Sequence, residues 1–141
     1  MLLTKDQQSK IIAAIKDAEH RTSGEVKVHI EELCPTADVM ERAKEVFFYL
    51  AMEKTALKNG VLFYLALEDK KFAILGDSGI DKAVPTGFWE STKEILGNHF
   101  SKGDFVGGLT QGIHKAGEQL KKYFPYHKDD TNELSDEISF G

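Results

Sequence analysis

At 141 residues, 41% hydrophobic and 29% charged, the chain has the size and composition of a single domain with its own core. A net charge of −5 without a basic cluster gives a nucleic-acid partner no electrostatic footing, and no apolar stretch approaches the roughly 20 residues a membrane-spanning helix needs. The single cysteine, Cys34, excludes an internal disulfide, and polar residues from Thr4 onward do not read as a signal peptide, so a cytoplasmic monomer without membrane insertion is expected.

The spacing predicts a helix over Leu2 to His20. Thr4 is an N-cap with Gln7 three residues on, a capping-box pattern, and Ile11, Ile12, Ile15 and Ala18 share one face. Arg21-Thr22-Ser23-Gly24 breaks it. From Glu25 to Glu31, Val26, Val28 and Ile30 alternate with Lys27, His29 and Glu31, the pattern of a strand with one buried face and His29 in solvent. A second helix starts after Pro35, with Asp38 and Glu41 at its N-terminus, and runs to about Lys54 or Leu57. Its apolar face is Val39, Ala43, Val46, Phe47, Leu50 and Ala51, and the aromatic cluster Phe47-Phe48-Tyr49 is assigned to the core.

Asn59-Gly60 is a turn signal. The unbroken apolar run Val61 to Leu67 predicts a strand covered on both faces, and Glu68-Asp69-Lys70-Lys71 then separates it from a hairpin partner, Phe72 to Leu75. Strand, helix and apolar strand make a βαβ unit with a parallel pair and a right-handed crossover. The core is therefore a small mixed sheet in an α/β protein. A short helical turn, Ile80 to Val84, ends at Pro85; Thr86 caps a helix from Gly87 to Phe100, and Asp104 caps a last helix from Phe105 to Tyr123. Gly107, Gly108, Gly112 and Gly117 lie inside that last helix. Each costs roughly 1 kcal/mol relative to alanine, a cost that close packing of the backbone would offset. Pro125 divides this unit, residues 1–124, from an acidic tail, 125–141, carrying Asp129, Asp130, Glu133, Asp136 and Glu137. The tail is either flexible or packed back through Leu134 and Ile138.

Chain direction gathers three loops at one end of this sheet: the entry to the first strand at Gly24-Glu25, the entry to the second at Asn59-Gly60, and the exit of the third at Gly76-Asp77-Ser78-Gly79. Clustered carboxylates resist joint ionisation, and a hard cation relieves the conflict. Glu25, Asp77 and Asp104, with Asp81 just beyond, are the candidate ligands of a divalent ion, Ca²⁺ or alternatively Mg²⁺, provided the Ser101–Asp104 loop returns to that end. The competing roles are local: Asp77 fixing a turn and Asp104 capping a helix. EF-hand, GxSxG, P-loop, paired-histidine and CxxC patterns are absent from the sequence, and His20, His29, His99, His114 and His127 are dispersed.

In order, Thr22-Ser23-Gly24-Glu25-Val26-Lys27-Val28, Asn59-Gly60-Val61-Leu62-Phe63-Tyr64-Leu65-Ala66-Leu67, the Lys71 to Ile80 hairpin exit, and Phe100-Ser101-Lys102-Gly103-Asp104-Phe105 with Gly108-Leu109 resemble the successive motifs of the TPM-domain family, over about Leu2 to Tyr123. The chain looks most like its short soluble bacterial members. The resemblance implies a three-layer α/β/α sandwich with helices on both faces of the mixed sheet, and divalent-ion binding near the loops above. It also implies a phosphatase-like possibility, because a plant thylakoid-lumen member of the photosystem II repair cycle is described as an acid phosphatase. Two functions follow. One is a Ca²⁺-binding module whose loops the ion orders, with an accessory role toward a protein partner. The other is a metal-dependent, acid phosphatase-like hydrolase of phosphate monoesters, for which Ser78 is the one nearby hydroxyl and a dedicated nucleophile and general acid are missing.

Overall fold

Thr4 opens the first helix as its spacing predicts: its hydroxyl accepts the Gln7 N–H at 3.1 Å while the Gln7 side chain accepts the Thr4 N–H at 2.9 Å. The computed structural model describes residues 3–126 and 134–141, so the expected helix start at Leu2 and the tail acids Asp129, Asp130 and Glu133 lie outside the described residues. The elements in chain order are α1 (Lys5–Arg21), β1 (Glu25–Glu31), α2 (Val39–Tyr49), a 3-10 turn (Met52–Lys54), β2 (Gly60–Ala66), β3 (Lys71–Gly76), α3 (Ser78–Ala83), α4 (Glu90–Phe100), α5 (Phe105–Leu120) and β4 (Ser139–Phe140).

The sheet order is β3-β2-β1-β4. β1 and β2 are parallel, with Glu25 opposite Gly60 and Glu31 opposite Ala66. β2 and β3 form the antiparallel hairpin, with Val61 opposite Gly76. All seven residues of β2 are buried, as its unbroken apolar run requires. Val26, Val28, Ile30, Val61, Phe63 and Leu65 face one core with α1, α4 and α5. Leu62, Tyr64 and Ala66 face a second core under α2. The result is an α/β/α sandwich around a mixed sheet.

Several boundaries differ from expectation, each for a backbone reason. α2 stops at Tyr49 because Ala51 is left-handed, with φ of 56°. Phe47 is buried there, but Phe48 and Tyr49 are exposed, so the aromatic cluster is only partly core. α4 begins at Glu90 rather than Gly87, because Gly87 has φ of +80° and cannot join a right-handed helix. The glycines of α5 do serve close approach. An added Cβ at Gly108 would stand 2.7 Å from the Cβ of His99, at Gly112 2.9 Å from Leu96, and at Gly117 2.9 Å from Ala18. α4 and α1 thus press directly onto the α5 backbone. Among the described residues no helix is long and apolar enough to cross a membrane.

β1 departs most from its pattern. The alternation puts Lys27, His29 and Glu31 on the polar face, yet every residue of β1 is buried. The cover is α2 together with residues 134–141, which run along the edge of β1 and pair with it as β4 at His29↔Ser139 and Ile30↔Phe140. Leu134 and Ile138 do pack back onto the domain, in an extended segment rather than a turn of helix.

Candidate cation site at the amino-terminal rim

Glu25 and Asp77 come to the same rim. Glu25 opens β1 opposite Gly60, and the Asp77 N–H donates to the Gly60 carbonyl at 3.0 Å, so a single strand separates them. Asp104 does not join them, which corrects the expected return of the Ser101–Asp104 loop. α5 ends at this rim, where Leu120 Cδ1 lies 3.4 Å from a Cβ placed at Gly24. It begins at the other, where Phe105 packs on Phe100 and Phe100 on Phe72. Asp104 caps α5 there, accepting the Gly107 N–H at 3.0 Å. His99 Nδ1 at 3.0 Å and the Gly107 N–H hold its carboxyl below the ordinary aspartate value. Asp81 is exposed on the first turn of α3.

Between Glu25 and Asp77 the space above Gly60 is filled by the Met52 methyl and Leu134, 3.4 and 3.9 Å from where a Cβ would stand. Among the described residues no three His, Cys, Asp or Glu side chains converge closely enough to hold a metal ion. The four candidate acids therefore do not form one shell.

What the rim does contain is a set of buried oxygens without partners. Asp77 caps α3, its Oδ1 accepting the Ser78 N–H at 2.6 Å, but its Oδ2 is buried and makes no hydrogen bond. Glu53 Oε2 and Thr55 Oγ1, on the connection into β2, are in the same state. That connection lies against the Asp77 turn: the Gly79 N–H donates to Lys58 O at 2.9 Å, and Lys58 Nζ reaches back to Glu53 O. The carbonyls of Leu57 and Lys58 both face Gly79 at close range. Buried polar atoms in native proteins nearly always find a donor, water or ion.

A second acidic corner lies where residues 134–141 meet β1, and there Glu19 Oε1 is likewise buried without a hydrogen bond. Glu25 Oε1 accepts the Leu134 N–H at 2.8 Å. Burial, a hydrogen bond to Asp136, and the charges of Asp136 and Glu25 push the Glu19 carboxyl up to about 10. Glu19 therefore holds its proton at neutral pH. The sign of the linkage follows. The folded value of Glu19 lies above its unfolded value of 4.5, so the stability it contributes is fully present below pH 4.5 and drains away as pH rises toward 10. Glu19→Gln keeps the hydrogen bond without the ionisable proton. It is expected to unfold at higher urea than wild type at pH 8 and at the same urea near pH 4; equal midpoints at both would show that no proton is held.

Further along β1, Lys27 Nζ donates to the carbonyls of Ser135 and Glu137 at 3.1 and 2.8 Å. His29 Nδ1 lies 2.9 Å from Ser139 Oγ, and its ring stacks on Tyr64. Burial lowers the His29 pKa, and its Nε2 has no hydrogen-bond partner. Glu31 is gripped by Arg42 through Nε at 2.8 Å and a terminal nitrogen at 2.9 Å, and it also accepts the Tyr64 hydroxyl. None of these roles was legible in a strand that reads as half-exposed. The one available signal was the Leu134–Ile138 spacing, which hinted that something packs back.

The sequence model of the TPM domain matches residues 1–119. The NMR structure of the BA42 protein from the psychrophilic bacterium Bizionia argentinensis is 48% identical, with a TM-score of 0.94 over 100% of this chain and 97% of that one. The N-terminal domains of the cg2496 protein from Corynebacterium glutamicum and of a P. gingivalis protein match in fold alone. Their identities are 13% and 17% and their TM-scores 0.68 and 0.64, over 90% and 92% of this chain and 78% and 83% of theirs. No curated protein matches. The family match over most of the length, together with the nearly complete overlay on BA42, makes this chain a member of the TPM-domain family.

Proposed function

We propose that the chain is a non-catalytic module that binds a divalent cation, Ca²⁺, at the amino-terminal rim, and that the ion fastens the connection into β2 to the β3–α3 turn and so shapes a partner-binding surface. The observation that carries this reading is the buried, unpartnered Asp77 Oδ2, with Glu53 Oε2 and Thr55 Oγ1 unpartnered on the adjoining connection. Carboxylate, hydroxyl and turn carbonyls on flexible backbone are the donor set Ca²⁺ accepts; Mg²⁺ asks for a stricter octahedron and keeps more water. Two carboxylates place the affinity in the weak range, on the order of 10⁻⁴ to 10⁻³ M. That range fills in millimolar calcium, a condition met outside a resting cytosol; a cytoplasmic location favours Mg²⁺ at the same oxygens.

The phosphatase-like alternative gains nothing from the geometry. Arg42, the guanidinium nearest the buried histidine, is engaged by Glu31, and the His29 ring is covered by residues 134–141. The test is a titration of labelled protein with Ca²⁺ and with Mg²⁺ into the millimolar range. Amides of residues 53–60 and 76–79 are expected to shift, Asp77→Asn to weaken the response at least about tenfold, and Asp104→Asn to leave it unchanged. Absence of shifts, or equal effects of the two substitutions, would remove the site.

A further inference from the structure

β1 has seven residues, and among the described residues its outer edge pairs with β4 at two positions. The rest of residues 134–141 is held by side chains of β1 that reach for backbone. Glu25 takes the Leu134 N–H, and Lys27 takes the carbonyls of Ser135 and Glu137. Where the pairing does form, the fit is specific. His29 meets the Ser139 hydroxyl, and the Gly141 N–H donates to Ile30 O at 3.0 Å. A Cβ on residue 141 would run into Glu31 Oε1 and stand 2.8 Å from His29 Nε2. Leu134 sits over Gly60 and Ile138 against the main core. The buried ammonium of Lys27 lies in the field of Asp136 and Glu137.

We infer that the edge of β1 is an acceptor site for an extended acidic peptide of a partner protein, carrying an apolar residue, then a β-branched residue, a hydroxyl and a glycine at the spacing of Leu134, Ile138, Ser139 and Gly141. Residues 134–141 are its resident competitor. Grips on main-chain carbonyls and N–H groups are indifferent to side chains, which suits a site built to take a strand from outside. Among the described residues the resident pairs with β1 at two positions, at the far end of the strand, so an incoming strand aligned over more of β1 gains hydrogen bonds beyond those two positions. Specificity then rests on the few positions where side chain or space is read: the pocket above Gly60, the His29 ring, and the crowded floor made by His29 and Glu31. The inference gives a partner class to the accessory role proposed above and rests on that reading for its biological sense. Its test is run in EDTA, so the cation site can fail without touching it.

Full-length labelled protein, wild type and Gly141→Val, is titrated with a synthetic peptide of residues 134–141 and with the same peptide ending in valine. Gly141 is exposed, so its replacement leaves the body of the fold intact while crowding the resident strand off His29 and Glu31. The expected result is that Gly141→Val protein binds the native peptide at least tenfold more tightly than wild type does, with shifts at His29 and Ile30, and binds the valine peptide at least tenfold more weakly. Ser139→Ala protein is expected to fall between the two proteins. No binding by Gly141→Val, equal binding of both peptides, or a Ser139 amide unmoved by the Gly141→Val change would each overturn the proposal.

Discussion

Arg42→Met is expected to lower the unfolding free energy by about 3 kcal/mol at pH 7, the low end of what breaking a buried ion pair costs. The reasoning is electrostatic. Glu31 is 7% exposed and rests on a two-point contact with the Arg42 guanidinium, at 2.8 and 2.9 Å, and on the Tyr64 hydroxyl. Methionine fills the space of the arginine stem but leaves an ionised carboxylate under α2 with a single donor. The low end applies because the Arg42 side chain keeps 25% of its exposure and part of the pair's field is screened by water. Burial alone would raise the Glu31 pKa; the hydrogen bonds from Arg42 and Tyr64 and the charge of Arg42 outweigh it and leave it lowered. A depressed carboxylate contributes stability above its unfolded value of 4.5 and loses it as pH falls through the folded value. The gap between wild type and Arg42→Met should therefore be full at pH 7, begin to narrow near 4.5 and close as pH falls through the folded value of Glu31. Urea denaturation across that range checks it, and adding Glu31→Leu to Arg42→Met should restore most of the loss. A deficit under about 1 kcal/mol, the size of a surface pair, would mean that water reaches Glu31 freely.

This pair also shows where the sequence stops being readable. The topology follows from local signals. The capping box at Thr4, the unbroken run of β2, the break at Glu68–Lys71 and the Asp104 cap each act through neighbours a few residues away. Chain direction then brings Glu25 and Asp77 to one rim without further information. Glu25, Lys27, His29 and Glu31 could not be read this way. Their alternation with Val26, Val28 and Ile30 is the pattern of a wet face; α2 covers Glu31 through Arg42, and residues more than a hundred positions later cover Glu25, Lys27 and His29. Asp104 failed for a related reason. A carboxylate before a helix announces a cap, but which end of the sheet the helix starts from depends on how α4 and α5 cross it. Glu53 and Thr55 carry no signal at all in a connection that reads as the tail of α2. They became visible only because Ala51 turns left-handed and ends that helix early.

The rim gives the second large effect. Gly79→Ala is expected to cost roughly 2–4 kcal/mol, from overpacking together with a lost hydrogen bond. A methyl at residue 79 would stand 2.5 Å from Lys58 O, nearer still to Leu57 O, and 3.0 Å from the Lys58 carbonyl carbon. These are backbone atoms, so no rotamer change relieves the clash. The connection into β2 must move away from the β3–α3 turn, and the 2.9 Å bond from Gly79 N–H to Lys58 O goes with it. The contrast is Gly97, inside α4, where an added Cβ meets nothing within 4 Å. There the change to alanine removes only helix-disfavouring freedom and should stabilise by about 0.5–1 kcal/mol. Paired urea titrations of the two variants separate steric crowding from glycine flexibility, since flexibility alone predicts a gain at both positions. The same pair reports on the rim's chemistry. Asp77 and the Glu53–Lys58 connection can share a cation only while the Gly79 contact holds them together, so Gly79→Ala should weaken the calcium response at least tenfold and Gly97→Ala should leave it as in wild type. A Gly79→Ala protein that loses stability yet titrates normally would mean that the ion, if bound, needs only one of the two turns.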